Sequence, residues 1–235
     1  TMRGPLASKT LGELVEEAQA LVENGVKELL LIAQDLSAYG LDRQYGHKRG
    51  SLSSYREDIF TLCKELAGIA PWLRLHYVYP YPHVDQLVEM MAEGQILPYL
   101  DMPLQHASPP ILKAMRRPAS SEKTLERIQS WRSKIPDLSI RSNFIVGFPG
   151  ETERDLDLLL KFLDEAKLDR VGCFTYSEVG GARANKLSGA LSEREKLDRQ
   201  DIVYEHQATI SYKRLARHIG NTLEVIIDGE IDDQV

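Results

Sequence analysis

The sequence predicts an α/β fold built as a partial, open parallel βα-barrel. Three observations predict it. Short apolar runs alternate with amphipathic stretches, five such runs occur, and the first is not followed by the GxGxxG turn of a doubly wound sheet. The chain has 235 residues, of which 43% are hydrophobic and 27% charged, so it is long enough to bury one sizeable core.

Each element has a local signal. Thr10 and Glu13 form a T-x-x-E capping box before apolar residues at helical spacing, and Gly25 ends that helix. Apolar runs too short for a helix are predicted as strands. The predicted strands are 28–33, 72–79, 99–104, 139–146 and 170–176; the predicted helices are 11–22, 55–67, 84–93, 110–115, 121–134, 153–166 and 192–217, with a loop over 35–54.

Composition limits the classes of function. The net charge is −6, whereas domains that hold nucleic acid through its phosphates are usually basic, so nucleic acid is not expected as the main substrate. A local basic patch stays open, and the basic end of the last helix, with Lys213, Arg214, Arg217 and His218, is predicted to complement the helix dipole rather than to bind a ligand. No apolar run reaches the ~18 residues of a membrane span and no signal-peptide pattern is present, which predicts a cytoplasmic protein without membrane contact. Cys63 and Cys173 are predicted to be buried, reduced thiols.

Polar residues follow the predicted strands at their carboxyl ends, where βα folds bind ligands. Asp35, His76 and His106 stand there, and Gly147 and Gly150 allow a ligand to approach the backbone. Each has a structural alternative: a loop cap for Asp35, a core role for His76, a helix cap for His106 and a tight turn for the glycines. No Ser–His–Asp order, Walker loop or HExxH motif is present, so hydrolase and kinase chemistry have no local support.

Three strings at these strand ends carry a resemblance to a known family. They are LIAQDLSAYG at 31–40, YLDMPLQHAS at 99–108 and FIVGFPGET at 144–152. They resemble the radical S-adenosylmethionine methylthiotransferases, and the resemblance runs in order through essentially the whole chain. The string Pro-Leu-Gln-His-Ala-Ser at 103–108 is similar to the branch that acts on a ribosomal protein, because the transfer-RNA branch typically carries Ser-Gly there.

The resemblance implies a domain organisation and a set of cofactors. Residues 1–218 are expected to be the barrel of radical S-adenosylmethionine type, without its first strand and its Cys-x3-Cys-x2-Cys loop. Residues 219–235 are expected to be the truncated start of a β-rich TRAM domain. The implied cofactors are S-adenosylmethionine and two 4Fe–4S clusters in the parent protein, whose cysteine ligands are absent from this chain.

The resemblance also implies an activity, which is the addition of a methylthio group to the β-carbon of an aspartate in a small-subunit ribosomal protein. The chain by itself is expected to be inactive, and the parent protein to receive electrons from a flavodoxin-like or ferredoxin-like protein. Two alternatives stay open: methylthiolation of a transfer-RNA adenosine, and a non-catalytic βα-barrel that serves as an interaction scaffold.

Ten residues match the family's motifs and are expected to contact the cofactor or the substrate; no catalytic residue and no metal ligand is identified. They are Gln34 and Asp35 at the methionine amino end, Gln105 and His106 at the barrel mouth, Arg141 and Ser142 toward a carboxylate or ribose, Gly147, Phe148 and Glu151 beneath the adenine, and Tyr176 closing the site.

Overall fold

Five parallel strands alternate with helices in the computed structural model, which describes residues 4–43, 57–117 and 121–227. The helices in this part of the chain are α1 (Leu11–Glu23), α2 (Ile59–Ala67), α3 (Val84–Ala92), α4 (Pro109–Ala114), α5 (Ser121–Lys134), α6 (Glu153–Ala166) and α7 (Glu193–Ala216), and the strands are β1 (Glu28–Leu31), β2 (Trp72–Leu75), β3 (Tyr99–Asp101), β4 (Ser139–Val146) and β5 (Arg170–Thr175). Short 3-10 turns lie at Leu36–Ala38 and Arg183–Lys186.

The strands lie side by side in chain order. β1 pairs with β2, and β3, β4 and β5 form a second parallel group. Two backbone hydrogen bonds join the groups, from Leu97 N to Leu73 O and from Val78 N to Asp101 O, each 2.9 Å long. The α/β class and the open parallel array are therefore confirmed, and no closed barrel forms among the described residues.

Four strands end before their apolar runs predict: β1 at Leu31, β2 at Leu75, β3 at Asp101 and β5 at Thr175. Tyr77 follows β2 with φ 56°, and Gln105 lies beyond β3 with φ 70°. Both are left-handed conformations that residues with a Cβ seldom adopt. Tyr77 interrupts the extended backbone inside the predicted run of β2, whereas Gln105 follows the predicted run of β3 and forms an isolated parallel bridge with Phe144.

Helix ends follow the predicted capping chemistry. The Thr10 hydroxyl accepts from the backbone of Glu13, whose carboxylate accepts from Thr10, which confirms the capping box of α1. Ser192 and Glu195 form the same arrangement at the start of α7. The predicted helix over 55–67 begins at Ile59, after Asp58 as its N-cap, and residues 55 and 56 lie outside the described residues.

One apolar core joins the sheet to the helices that cover it. The buried face of β4 contributes Ile140, Phe144 and Val146. Cys63 and Cys173 are buried free thiols, as predicted, and burial raises the pKa of each to about 12. No helix among the described residues is long and apolar enough to cross a membrane.

The expected start of a TRAM domain stays a prediction. Residues 221–227 have no regular secondary structure. Residues 228–235 lie outside the described residues.

Candidate active site

One face of the open sheet, which carries the register partners named next and which we call the inner face, is partly exposed. Register partners on neighbouring strands point to the same face, which places Leu30 beside Arg74, Asp101 beside Arg141, and Ile145 beside Phe174. Phe174 is 55% exposed and Leu30 48% exposed. These are large apolar side chains, so this face is open to a ligand or to another segment of protein.

Gln34 and Asp35 follow β1 at the mouth. Gln34 is exposed, whereas Asp35 is half-buried and its carboxylate accepts from Ser37 N at 3.0 Å, which caps the 3-10 turn. The loop-cap role of Asp35 is therefore confirmed, and its contact with the cofactor stays a prediction. Burial raises the pKa of Asp35, and the hydrogen bonds from Ser37 oppose that rise.

Gln105 and His106 follow β3. The Gln105 backbone donates to Asn143 O at 2.9 Å and accepts from Ile145 N at 2.7 Å, so β4 fixes the left-handed residue on both sides. The His106 side chain points into the protein interior, where its Nδ1 accepts a hydrogen bond from Ser108 N at 2.9 Å. Ser108 is the N-cap of α4, so His106 supports a helix start, as one alternative predicted.

Glu151 connects His106 to α7. Because His106 Nδ1 accepts a hydrogen bond, the proton of the neutral ring lies on Nε2, 3.4 Å from Glu151 Oε2. Arg199 Nη1 donates to Glu151 Oε1 at 2.7 Å and to its carbonyl oxygen at 3.1 Å. Burial would raise the pKa of Glu151, but the adjacent His106 ring and the hydrogen bonds from Arg199 outweigh it and hold that pKa below its usual value. We call His106, Glu151 and Arg199 the anchor triad.

The anchor triad leaves little of His106 or Glu151 for a ligand. Both side chains have no exposed surface, and Arg199 keeps 9% of its side chain exposed. The carboxylate and the imidazole point into the protein, where they hold the strand ends together; the expected adenine contact of Glu151 and mouth contact of His106 stay predictions.

Arg141 and Ser142 lie on opposite faces of β4, as adjacent strand residues must. Ser142 is buried, and its hydroxyl accepts from Leu104 N at 3.2 Å; its expected contact with a carboxylate or ribose stays a prediction. Arg141 is on the inner face, and its Nη1 donates to Asp101 Oδ1 at 2.8 Å. His76 Nδ1 lies 3.1 Å from the other oxygen of Asp101, which is fully buried. Arg141 is the third residue of β4 and is far from its carboxyl end.

Gly147, Phe148 and Tyr176 meet at the end of β4 and β5. Gly147 has φ 72°, and the aliphatic part of the Lys196 side chain, from α7, packs against Gly147. Phe148 packs edge-on against Tyr176, with ring centroids 5.1 Å apart, and Lys196 Nζ lies 5.6 Å from the Tyr176 ring. The positive φ of Gly147 and of Gly150 confirms that both serve a tight turn. Gly147 and Phe148 are buried, and Tyr176 remains half-buried at the edge of the site.

The contact between Gly147 and Lys196 gives a testable expectation. A Cβ at position 147 would overlap Cγ of Lys196, and the positive φ is itself unfavourable for alanine. Gly147→Ala is expected to lower the free energy of unfolding by about 2–3 kcal/mol, measured by urea denaturation.

Gly94→Ala is the matched control. Gly94 has φ 75°, but no atom lies near the position of an added Cβ. Gly94→Ala should therefore lower the free energy of unfolding only by the cost of the positive φ, about 1–2 kcal/mol. Replacing Lys196 by alanine should reduce the excess cost at position 147. Equal losses at both glycines would show that Lys196 does not cover Gly147 in solution.

Two site residues escaped sequence reasoning, and both are buried cations of α7, Lys196 and Arg199. The signal available was their spacing with Val203, Gln207 and Ile210, which marks one face of the helix. Two cations on the buried face of a helix indicate that the element packed against that face supplies buried hydrogen-bond acceptors.

The cluster cofactor that the resemblance implies does not fit these residues. Iron–sulfur clusters need about three or four thiolates held together, and this chain has two cysteines on separate elements, Cys63 in α2 and Cys173 in β5. Over residues 4–43, 57–117 and 121–227, no group of three His, Cys, Asp or Glu side chains could hold a metal ion.

A polar organic ligand fits the inner face better. His76 Nε2 and Asn143 Oδ1 are buried there without a hydrogen-bond partner. Unpaired buried polar atoms are costly, and in functional proteins they are commonly satisfied by a ligand or water.

Comparison with known proteins supports the implied family. The family model described as the radical SAM superfamily matches residues 1–163. The chain is 53% identical over 234 residues to a Proteus mirabilis protein named ribosomal protein uS12 methylthiotransferase RimO, covering 100% of this chain and 53% of the relative. The protein of that name from Marinobacter nauticus is 54% identical over 234 residues, with 100% and 51% covered. The chain thus spans about half the length of the curated relatives it matches.

Among solved structures, the chain is similar to coproporphyrinogen III oxidase (HemN) from Escherichia coli, which is described as a radical SAM enzyme. The TM-score is 0.53 at 18% identity, and the similarity covers 65% of this chain and 36% of the other. At that identity the similarity supports the fold alone.

Proposed function

Because this chain belongs to the radical SAM superfamily, we propose that it is the barrel portion of a methylthiotransferase that modifies an aspartate of ribosomal protein uS12. One observation carries the proposal: more than half of the residues are identical, over the whole chain, to relatives that bear that name. The string Pro-Leu-Gln-His-Ala-Ser at 103–108 supports the ribosomal-protein branch over the transfer-RNA branch.

S-adenosylmethionine is the proposed ligand of the inner face. When bound, it supplies the methyl group and the radical chemistry that an unactivated C–H bond requires. Asp35 is proposed to bind the cationic amino group, since its half-buried carboxylate stands at the mouth beside the exposed Gln34. Asn143 Oδ1 and His76 Nε2 offer unsatisfied polar atoms on the same face. Tyr176 and the Gln105 side chain are proposed to border the ligand.

The anchor triad has a positioning role in this proposal. It ties the carboxyl ends of β3 and β4 to α7, so the residues that contact the ligand keep a fixed spacing. Binding groups held on rigid elements lose less entropy when a ligand arrives.

The whole protein is proposed to carry two 4Fe–4S clusters on cysteines that this chain does not contain. Its electron donor is proposed to be a flavodoxin-like or ferredoxin-like protein. Only the binding and positioning of S-adenosylmethionine and substrate are assigned to the residues of this chain.

Mass spectrometry of two candidate substrates tests the proposed function. We expect uS12 from cells with the gene to carry the mass of a methylthio group in place of one hydrogen, at an aspartate, and uS12 from cells without it to lack that addition. Transfer RNA from both strains should be the same. Restoring the gene on a plasmid is the control.

Other outcomes would assign the protein differently. An addition lost from transfer RNA, with uS12 unchanged, would favour the transfer-RNA branch. No change in either substrate would favour the non-catalytic scaffold.

A further inference from the structure

A second cavity lies at the amino-terminal ends of the strands, opposite the candidate active site. Its volume is about 240 Å³, and its walls come from β2 to β5 and from the end of α7. Among the described residues that line it, four are arginines, one is His218 and one, Asp169, is acidic. The arginines are Arg74, Arg141, Arg170 and Arg214.

The single acidic side chain is already surrounded by cations. Asp169 accepts from Arg132 Nη2 at 3.1 Å, from Arg214 Nε at 2.7 Å and from the backbone N of Ile140 at 2.9 Å. Arg217 Nη2 lies 3.9 Å from Asp169 Oδ1. Three guanidinium groups thus share one carboxylate, so Asp169 does not neutralise the rest of the cavity. The basic end of α7 therefore contacts Asp169 as well as complementing the helix dipole.

Two arginines oppose each other across the strands. Arg141 and Arg170 are register partners on β4 and β5, so their side chains point to the same face. Arg141 is paired with Asp101, whereas exposed Arg170 has no hydrogen bond or ion pair within the part of the chain that the structure describes. Arg74 is also paired, since its Nε donates to Glu28 Oε1 at 2.5 Å, so Arg170 is the arginine that brings an unpaired positive charge to the cavity.

We propose that this cavity binds a phosphate group. Guanidinium groups form forked, charge-assisted hydrogen bonds to phosphate, and here they reach the cavity from three strands and one helix. Donors from several directions suit a tetrahedral group better than a planar carboxylate. The hydroxyl-bearing side chains of Tyr99 and Ser139 also line the cavity.

The rest of the chain does not favour anions in general. The net charge is −6, so an anion that binds here must be held by the local arginines rather than by the overall field. Inorganic phosphate and the backbone of a polynucleotide offer the same group, and the two sources can be distinguished experimentally.

The first experiment titrates inorganic phosphate into the 235-residue chain at constant ionic strength, by calorimetry and by the shift in thermal midpoint. We expect saturable binding that raises the midpoint, and Arg170→Met should weaken it at least tenfold, because that residue has no other partner. Arg194→Met, which changes an exposed arginine on α7 outside the cavity, should leave the affinity unchanged.

Arg170→Lys keeps the charge and loses the fork, so it should lie between the wild type and Arg170→Met. It also replaces Arg170→Met should that variant not fold. No saturable binding, equal binding of acetate, or an affinity insensitive to both Arg170 variants would overturn the proposal.

The second experiment uses a short single-stranded RNA of unbiased sequence. If RNA displaces phosphate, and the slope of log affinity against log salt concentration falls by about one in Arg170→Met, the bound phosphate belongs to a polynucleotide. Phosphate binding without RNA competition identifies a free, phosphate-bearing small molecule. RNA binding that does not compete with phosphate and is unchanged in Arg170→Met would contradict a shared site.

Discussion

Arg199→Met is expected to lower the free energy of unfolding by about 3–5 kcal/mol, because it leaves the Glu151 carboxylate buried without a cationic partner. Arg199 reaches Glu151 from α7 and donates both to its carboxylate and to its carbonyl oxygen. A second nitrogen of Arg199 donates to Glu153 Oε1 at 2.6 Å. Urea denaturation followed by circular dichroism measures the loss.

Arg194→Met is the matched control on the same helix. The Arg194 side chain is 91% exposed, and its Nε lies 3.9 Å from Asp198, so its removal should change stability by no more than about 0.5 kcal/mol. A loss in Arg199→Met no larger than in Arg194→Met would contradict the buried contact.

The pH dependence of stability gives an independent readout. The pKa of Glu151 is lower in the folded state than its unfolded value of about 4.3. Its contribution is therefore fully present above pH ~4.3 and is lost as the pH falls through the lower, folded pKa. We expect Glu151→Gln to remove this part of the acid dependence, while the control Arg194→Met keeps it. An unchanged acid profile in Glu151→Gln would exclude an ionised Glu151 in the anchor triad.

The strand and helix order was predictable because it depends on local periodicity. Apolar runs of strand length and the capping residues Thr10 and Ser192 lie within a few positions of the elements they define. The end of β2 was not predictable, since Tyr77 adopts a left-handed conformation that no glycine announces, and neither was the left-handed conformation of Gln105. Tertiary hydrogen bonds, such as those between Gln105 and β4, hold the backbone there.

The site was predictable in location but not in the direction of its side chains. The strings at the strand ends do meet at one edge of the sheet. His106 and Glu151 nevertheless point into the protein, because Arg199 binds the Glu151 carboxylate there. Arg199 lies 48 positions along the chain from Glu151. No local pattern contains that contact. The opposite orientations of Arg141 and Ser142, by contrast, follow from the two-residue period of a strand and could have been read from the sequence.

Arg141 distinguishes a structural contact from a ligand contact. Asp101 is fully buried and has two partners, His76 Nδ1 at 3.1 Å and Arg141 Nη1 at 2.8 Å. Arg141→Met leaves the carboxylate with the histidine alone, so we expect the free energy of unfolding to fall by about 3–5 kcal/mol. Thermal and urea unfolding measure this loss.

Arg170→Met is the control for Arg141, because it lies opposite on β5, is exposed, and has no partner among the described residues. Its stability should match the wild type within about 0.5 kcal/mol. Replacing Asp101 by leucine in the Arg141→Met background removes both charges and should recover much of the loss, since a buried pair replaced by apolar groups is often neutral. If Arg141→Met were as stable as Arg170→Met but bound S-adenosylmethionine more weakly, Arg141 would serve the ligand and Asp101 would be satisfied by His76 alone.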